Sequence, residues 1–134
     1  MESEGKGVVV ASLGKDSGYV PYTAFSAKQS YIEENPDIIQ GTTNALQKGM
    51  DYVQNHTPEE IAKIIEPQFP ETDLETITII VNRYYEQNTW KADLIFEQES
   101  FELLCDILNS AGELTDFPPY QELVTTKFAE KAVK

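Results

Sequence analysis

Two apolar runs near the start of the chain have the pattern of β-strands. Val8–Ala11 is a continuous run of β-branched and small apolar residues, which is typical of a buried strand. The stretch Leu13–Val20 that follows contains glycine, aspartate and serine and reads as a loop. Tyr22–Ser26 is a second apolar and aromatic run. The pattern therefore predicts a strand, a loop and a second strand.

The chain continues with helical periodicity. A short helix is predicted over Lys28–Glu34, and it ends before Pro36 because proline disfavours helical geometry in the residue before it. Asn35, Pro36 and Asp37 then provide a cap, a first-turn proline and an acid at the positive end of a long second helix. One face of that helix is predicted to carry Ile38, Thr42, Leu46, Gly49 and Val53, with Ile39 and Met50 beside them.

Two more helices are predicted to begin with capping boxes. Thr57 and Glu60 have the required spacing, and Thr72 and Glu75 repeat it. The second of these helices is expected to run to about Tyr85, and its apolar face is predicted to consist of Leu74, Ile77, Val81 and Tyr84. Because residues 77–81 are rich in β-branched side chains, a strand is the alternative there.

The last third of the chain is predicted to alternate between irregular segments and helices. Residues 88–96 are expected to be irregular, with Trp90 packed against the helices. Apolar residues at 101, 104, 108 and 111 define a helix that Gly112 ends. Residues 117–120 form a proline-rich connector, and Thr125–Val133 is a last short helix.

These elements define a fold class. The pattern predicts an α/β but predominantly helical fold, with two N-terminal strands followed by about five or six helices. Residues 1–134 are expected to form a single domain, because the length is that of one domain and no linker or repeat divides the chain.

Composition narrows the classes of partner. The formal net charge is −13 and the sequence pI is about 4.3, so the surface repels phosphate backbones and anionic lipids. We therefore expect no nucleic-acid partner. Cys105 is the only cysteine, which excludes an intramolecular disulfide, and its place beside an apolar stripe favours a buried, inert thiol. No secretory signal is visible, so a cytoplasmic location is expected unless the chain is part of a longer product.

Catalytic chemistry finds little support in the sequence. His56 lies alone between two predicted helices, where a structural role is the simpler interpretation. No group of His, Cys, Asp or Glu has metal-ligand spacing, and no glycine-rich phosphate loop is present. We therefore predict no catalytic residue, no metal and no cofactor, and a protein that is not an enzyme.

The best candidate for a ligand site is the loop Leu13–Val20. Side chains that can donate or accept hydrogen bonds are concentrated in and around it, and its glycines allow a ligand to approach the backbone. The predicted ligand-binding residues are Ser12, Asp16, Ser17, Tyr19 and Tyr22. The alternative is that the segment only connects two elements.

Several phrases of the sequence, taken in order, resemble a known family. They are residues 5–14 (GKGVVVASLG), 21–25 (PYTAF), 31–40 (YIEENPDIIQ), 45–53 (ALQKGMDYV) and 57–62 (TPEEIA), with 119–129 (PYQELVTTKFA) at the end. This order resembles the C-terminal portion of the solute-binding proteins of ABC importers, in the group that serves nitrate, sulfonates, taurine and pyrimidine precursors of thiamine.

The resemblance implies part of one lobe of a type 2 periplasmic-binding-protein fold. It implies a small solute that binds between two lobes, an ABC permease as partner, and a location outside the cytoplasm or at the cell surface. The chain has no counterpart of the other lobe, so it is expected to hold one wall of the pocket around residues 12–22. A second copy of the chain, in a homo-oligomer, or another polypeptide is expected to pair with the predicted N-terminal strands and cover their edges.

Two other classes of function stay open. One is an acidic helical module that acts through protein contacts and has no transport role. The other is an enzyme, since some relatives in the wider fold family use pyridoxal phosphate, but this chain lacks their histidine-rich context.

Overall fold

The computed structural model describes residues 5–132, and all the regular structure in that range is helical. Eight α-helices follow one another within this range: α1 (Leu13–Asp16), α2 (Gln29–Glu34), α3 (Pro36–Asn55), α4 (Pro58–Ile65), α5 (Leu74–Glu86), α6 (Gln98–Ser110), α7 (Tyr120–Leu123) and α8 (Lys127–Ala132). A 3₁₀ turn, Glu66–Gln68, extends α4.

The predicted N-terminal strands are wrong. No strand occurs among the described residues, and Val8 and Val10 are 80% and 90% exposed. Two short β segments are not enough for a sheet, because a stable one needs further strands or a covering helix on its apolar face. Part of the predicted loop instead winds into α1. The β-branched pattern of the sequence is present, but the described part of the chain supplies no sheet for it to join.

The predicted α/β fold class is therefore also wrong. Residues 5–132 form a helical structure, not part of a lobe of the type 2 periplasmic-binding-protein fold. In this same range, no helix combines the length and the apolar character needed to cross a membrane.

Helix starts were predicted with mixed success. Thr57 caps α4 as predicted, since its Oγ1 accepts from the Glu60 N–H at 3.3 Å and the Glu60 carboxylate accepts from the Thr57 N–H at 2.9 Å. The second predicted box is wrong by one residue. Asp73 caps α5, accepting from the Thr76 N–H at 2.9 Å. A carboxylate is favoured at this position because it also faces the positive end of the helix dipole.

The inward face of α3 is rotated by about one residue from the prediction. Ile38 is 55% exposed, whereas the buried position in α3 is a polar residue, Gln47. Helix α8 packs on α3, and the Gln40 side-chain amide donates to the carbonyl of Phe128 at 3.0 Å. The polar members of this face were missed because they pair with backbone groups instead of packing as apolar side chains.

The main core lies between α4 and α5. Its buried members are Ile61, Ala62, Ile77 and Val81, and Val53, Tyr85 and Trp90 are among the partly buried residues that pack on them. The predicted α5 face is confirmed at Ile77 and Val81. It is wrong at Tyr84, which is exposed while the next residue, Tyr85, turns inward. Gly112 ends α6 as predicted, with a φ of +77°.

Candidate functional site

The candidate site is a turn built around α1, between Ser12 and Val20. The carbonyl of Ser12 accepts from the N–H groups of Lys15 and Asp16, both at 3.0 Å, which starts the helix. The Ser17 N–H closes it on the Leu13 carbonyl at 2.9 Å. Gly18 then has a φ of +78°, which a residue with a side chain rarely adopts, so the chain reverses there.

The structure brings four of the five predicted ligand-binding residues onto this turn. Ser12 is half-buried, and Asp16, Ser17 and Tyr19 are exposed. Tyr22 lies beyond the turn with 99% of its surface exposed. Their predicted role in ligand binding stays a prediction.

The turn rests on residues from the helical body. The side-chain amide of Asn88, just after α5, donates to the hydroxyl of Tyr19. A Cβ at Gly18 would lie 3.5 Å from a methyl carbon of Leu103 in α6, and one at Gly14 would lie 3.6 Å from the side-chain oxygen of Gln87. The turn is therefore held against both α5 and α6.

Asn88 is a site residue that was not predicted from the sequence. Its φ is +52°, and no other non-glycine residue of the described range has a positive φ. Asparagine tolerates this left-handed conformation better than most residues and is common just after helices. Its position directly after the apolar stripe of α5 was the available signal. We call Ser12, Asp16, Ser17, Tyr19 and Asn88 the polar turn.

The polar turn offers hydrogen-bonding groups from hydroxyl, carboxylate and amide side chains. Its hydroxyls, carboxylate and amide can accept from or donate to a small polar solute. Because its side chains are mostly exposed, the turn is an open surface and not an enclosed pocket. Within residues 5–132, no group of three or more His, Cys, Asp or Glu side chains could hold a metal ion.

Two clefts lie away from the polar turn. The first, about 570 Å³, lies between the start of α4 and α5, with Thr57, Glu59, Asn82, Arg83 and Glu86 in its lining. At the α4 end of this cleft, the N–H of Thr57 is not available to a ligand, because it donates to the Glu60 carboxylate. These hydrogen bonds hold the pKa of the Glu60 carboxyl below its ordinary value of 4.5.

The second cleft, about 450 Å³, lies between α6 and α7. Cys105 is part of its lining and is buried, as predicted. Phe101 and Tyr120 meet edge to face with centroids 5.6 Å apart, and the Tyr120 hydroxyl donates to the Phe96 carbonyl. Burial, followed by the charges of Glu130 and Glu97, raises the pKa of Tyr120.

His56 lies at the C-terminal end of α3 and contacts its neighbours through both its ring and its main chain. Its ring stacks on that of Tyr52 with centroids 3.5 Å apart, and its Nδ1 lies 2.8 Å from the Tyr52 carbonyl oxygen. A carbonyl only accepts, so Nδ1 carries the proton. The Tyr85 hydroxyl donates to the main-chain oxygen of His56 at 2.8 Å. These contacts fix the junction between α3 and α4.

Comparison with known proteins gives one informative relative. The chain is 39% identical over 130 residues to a protein of Bacillus subtilis (strain 168) named "Putative binding protein YtlA". The match takes in 97% of this chain but 39% of the relative, so the chain spans about two fifths of the relative's length.

The other comparisons found nothing similar. No protein-family model matches the chain, and no solved structure matches it. The assignment to the C-terminal portion of ABC-importer solute-binding proteins is therefore wrong as made from the sequence, since no family model supports it and residues 5–132 contain no strand of the expected lobe.

Proposed function

We propose that this chain is a non-enzymatic part of a binding protein that captures a small organic or anionic solute for an ABC import system. The observation that carries the proposal is the 39% identity, over 97% of the chain, to a protein that is named a binding protein. The solute classes to test are pyrimidine precursors, sulfonates and nitrate. The ABC permease is the proposed partner, and capture is proposed to occur outside the cytoplasm.

The polar turn is the proposed contribution of this chain to the solute site. Hydroxyl and amide groups from Ser17, Tyr19 and Asn88 suit a solute with polar or anionic groups. Small-molecule sites usually enclose most of the ligand, whereas the polar turn is open to solvent. We therefore propose that further polypeptide completes the site and that the isolated chain does not hold the solute.

Calorimetric titration tests this proposal. The two proteins compared are the isolated chain and a chimera, in which this chain replaces the matched 130 residues of the Bacillus subtilis relative. A pyrimidine, an alkanesulfonate and nitrate are titrated into each, with the unmodified relative alongside. We expect no heat from the isolated chain and saturable heat from the chimera with one class. No heat from the chimera with any of the three contradicts the proposed function.

Substitution of one hydroxyl locates the site in the chimera. Tyr19→Phe removes the group that accepts from Asn88 and is expected to weaken solute binding about tenfold, the loss that follows from one hydrogen bond of about 1.4 kcal/mol. Tyr31→Phe is the matched control, because Tyr31 is also an exposed tyrosine but lies on α2. Equal solute affinities of the two variants would show that the polar turn is not part of the solute site.

A second candidate function is an acidic module that acts through protein contacts. The observation that favours it is the number of large apolar side chains left exposed on a chain with a net charge of −13. In the titration above, this candidate predicts no heat from either protein.

A further inference from the structure

The segment from Gly7 to Phe25 exposes an unusual amount of apolar surface. Val8, Val10, Leu13, Tyr22 and Phe25 are each at least 80% exposed. Residues 8–10 are all valine, so neither face of this segment presents polar side chains to water. Single exposed apolar residues are ordinary, but five large ones within one segment of 19 residues indicate an interaction surface.

The same segment is held in place at its middle. Gly18 packs beside Leu103, and Tyr19 is joined to Asn88 by a hydrogen bond. The polar turn is thus attached to the helical body, while Val8 and Val10 on one side and Tyr22 and Phe25 on the other face solvent. The exposed apolar side chains therefore lie on both sides of a turn that is itself packed against the helices.

The total exposed area is also large for a chain of this mass. The chain exposes 10330 Å², whereas a compact monomer of 15.1 kDa exposes about 7,100 Å². The excess of about 3,200 Å² is larger than the roughly 1,000–2,500 Å² that one partner of a typical obligate interface buries, so a single ordinary contact would not cover it. Exposed apolar residues also lie on α4, α5 and α6, for example Ile64, Ile80 and Ile107.

The net charge and the distribution of the exposed residues argue against a second copy as the cover. Two copies would together carry a charge of −26, since each carries −13, and like charges oppose association. A symmetric contact through residues 7–25 would also leave the exposed apolar residues of α4, α5 and α6 uncovered. A larger polypeptide can cover several of these surfaces at once.

The Bacillus subtilis relative contains further polypeptide that is long enough to cover several of these surfaces. The matched residues make up 39% of it, so about three fifths of the relative has no counterpart in this chain. Because the similarity extends over 97% of this chain, residues 7–25 have their counterpart in the relative inside a much longer protein.

We propose that residues 7–25 dock into an apolar surface of the polypeptide that corresponds to the rest of the relative, with Val8, Val10 and Phe25 as the buried contacts. The proposed function requires further polypeptide to complete the solute site, and this docking proposal says how that polypeptide is attached. The proposal rests on the proposed function for the identity of the partner. The docking places the polar turn at the boundary between the two parts, so the added polypeptide supplies the opposite wall of the solute site.

Amide hydrogen exchange tests the docking. The amides of Val8, Val10 and Ala11 are compared in the isolated chain and in the chimera. We expect them to exchange rapidly in the isolated chain, where no helix or strand includes them, and at least about 100-fold more slowly in the chimera, as buried segments do. Equal, rapid exchange in both proteins overturns the proposal. So does slow exchange in an isolated chain that light scattering shows to be a dimer, because the cover is then a second copy.

A pair of substitutions at one position separates docking from general misfolding. Val10→Asp places a charge in the proposed interface, and Val10→Ile keeps an apolar, β-branched residue. Because Val10 is 90% exposed, both variants of the isolated chain are expected to unfold as the parent does. In the chimera, Val10→Asp is expected to abolish the slow exchange or prevent folding. Val10→Ile is expected to leave the chimera folded, with slow exchange at these amides. A Val10→Asp chimera that folds with slow exchange at Val8 and Ala11 overturns the proposal.

The exchange experiment and the titration can contradict the docking proposal and the proposed function separately. Slow exchange in a chimera that binds none of the three solutes supports docking and contradicts the transport role. Solute binding by a chimera with rapid exchange at these amides contradicts docking alone.

Discussion

The hydroxyl of Tyr85 in α5 donates to the main-chain oxygen of His56, 2.8 Å away, at the junction between α3 and α4. The same hydroxyl also contacts the carbonyl of Val53. The ring of Tyr85 meets that of Trp90 at 90° with centroids 5.5 Å apart. One side chain therefore joins three consecutive helices and the irregular segment that follows α5.

Removal of this hydroxyl is expected to destabilise the isolated chain. Tyr85→Phe keeps the ring packing but removes the single hydroxyl proton that the carbonyl groups of Val53 and His56 share, which costs about 1 kcal/mol of unfolding free energy. Urea unfolding followed by circular dichroism measures the change. Tyr84→Phe is the matched control, because Tyr84 is the neighbouring, exposed tyrosine. Equal effects of the two variants would show that the hydroxyl of Tyr85 does not hold the junction.

The core between α4 and α5 provides a second prediction. Ile77 is 4% exposed and Ile79, in the same helix, is 50% exposed. Ile77→Ala is expected to lower the unfolding free energy by about 2–4 kcal/mol, since it removes buried methyl groups and leaves a cavity. Ile79→Ala is expected to cost less than about 1 kcal/mol in the isolated chain. A similar loss for both variants in chemical denaturation would place the core elsewhere.

The cap of α4 provides a third prediction. Thr57→Ala removes the oxygen that accepts from the Glu60 N–H and is expected to cost about 1 kcal/mol. Thr57→Ser keeps an accepting hydroxyl and is expected to be close to the parent. The midpoint of thermal unfolding checks both, and a serine variant as unstable as the alanine variant would mean that the hydroxyl hydrogen bond is not the stabilising feature.

The fourth prediction concerns acid stability. Hydrogen bonds from the Thr76 N–H and hydroxyl lower the pKa of the Asp73 carboxyl from its ordinary value of 3.8. A lowered folded-state pKa means that this stabilisation is complete above the unfolded-state pKa and is lost as the pH falls through the folded-state pKa. Stability should therefore decline below about pH 4.

Asp73→Asn identifies this carboxyl as one source of the decline. Asparagine also caps helices but does not titrate, so the variant should lose less stability than the parent between pH 5 and the acid transition. Glu75→Gln, in the first turn of the same helix, is the control. Parallel acid transitions in the parent and the Asp73→Asn variant would contradict the assignment.

Local signals in the sequence predicted the ends of several helices. The Thr57–Glu60 capping box, the proline at the start of α3 and the glycine after α6 act within one helical turn, so residues a few positions apart determine them. Errors of one residue arose where a stronger local group competed, as Asp73 did with Thr72.

Features that depend on distant parts of the chain were predicted less well. The inward face of α3 depends on α8, and a buried glutamine is not visible as part of an apolar stripe. Asn88 enters the polar turn because Tyr19 lies beside it, 69 positions away. The strands were predicted from β-branched composition, but a sheet also requires partners, which the described residues do not supply.

The heat capacity of unfolding tests most directly whether this chain carries surface that further polypeptide covers. A compact protein of 134 residues gains about 1.6–2.0 kcal/mol/K on unfolding. An excess exposed area of about 3,200 Å² lowers this by about a quarter, to roughly 1.2–1.5 kcal/mol/K. We predict the lower value by scanning calorimetry of the isolated chain. A value at or above 1.8 kcal/mol/K would show that the chain already buries the apolar surface of a complete protein.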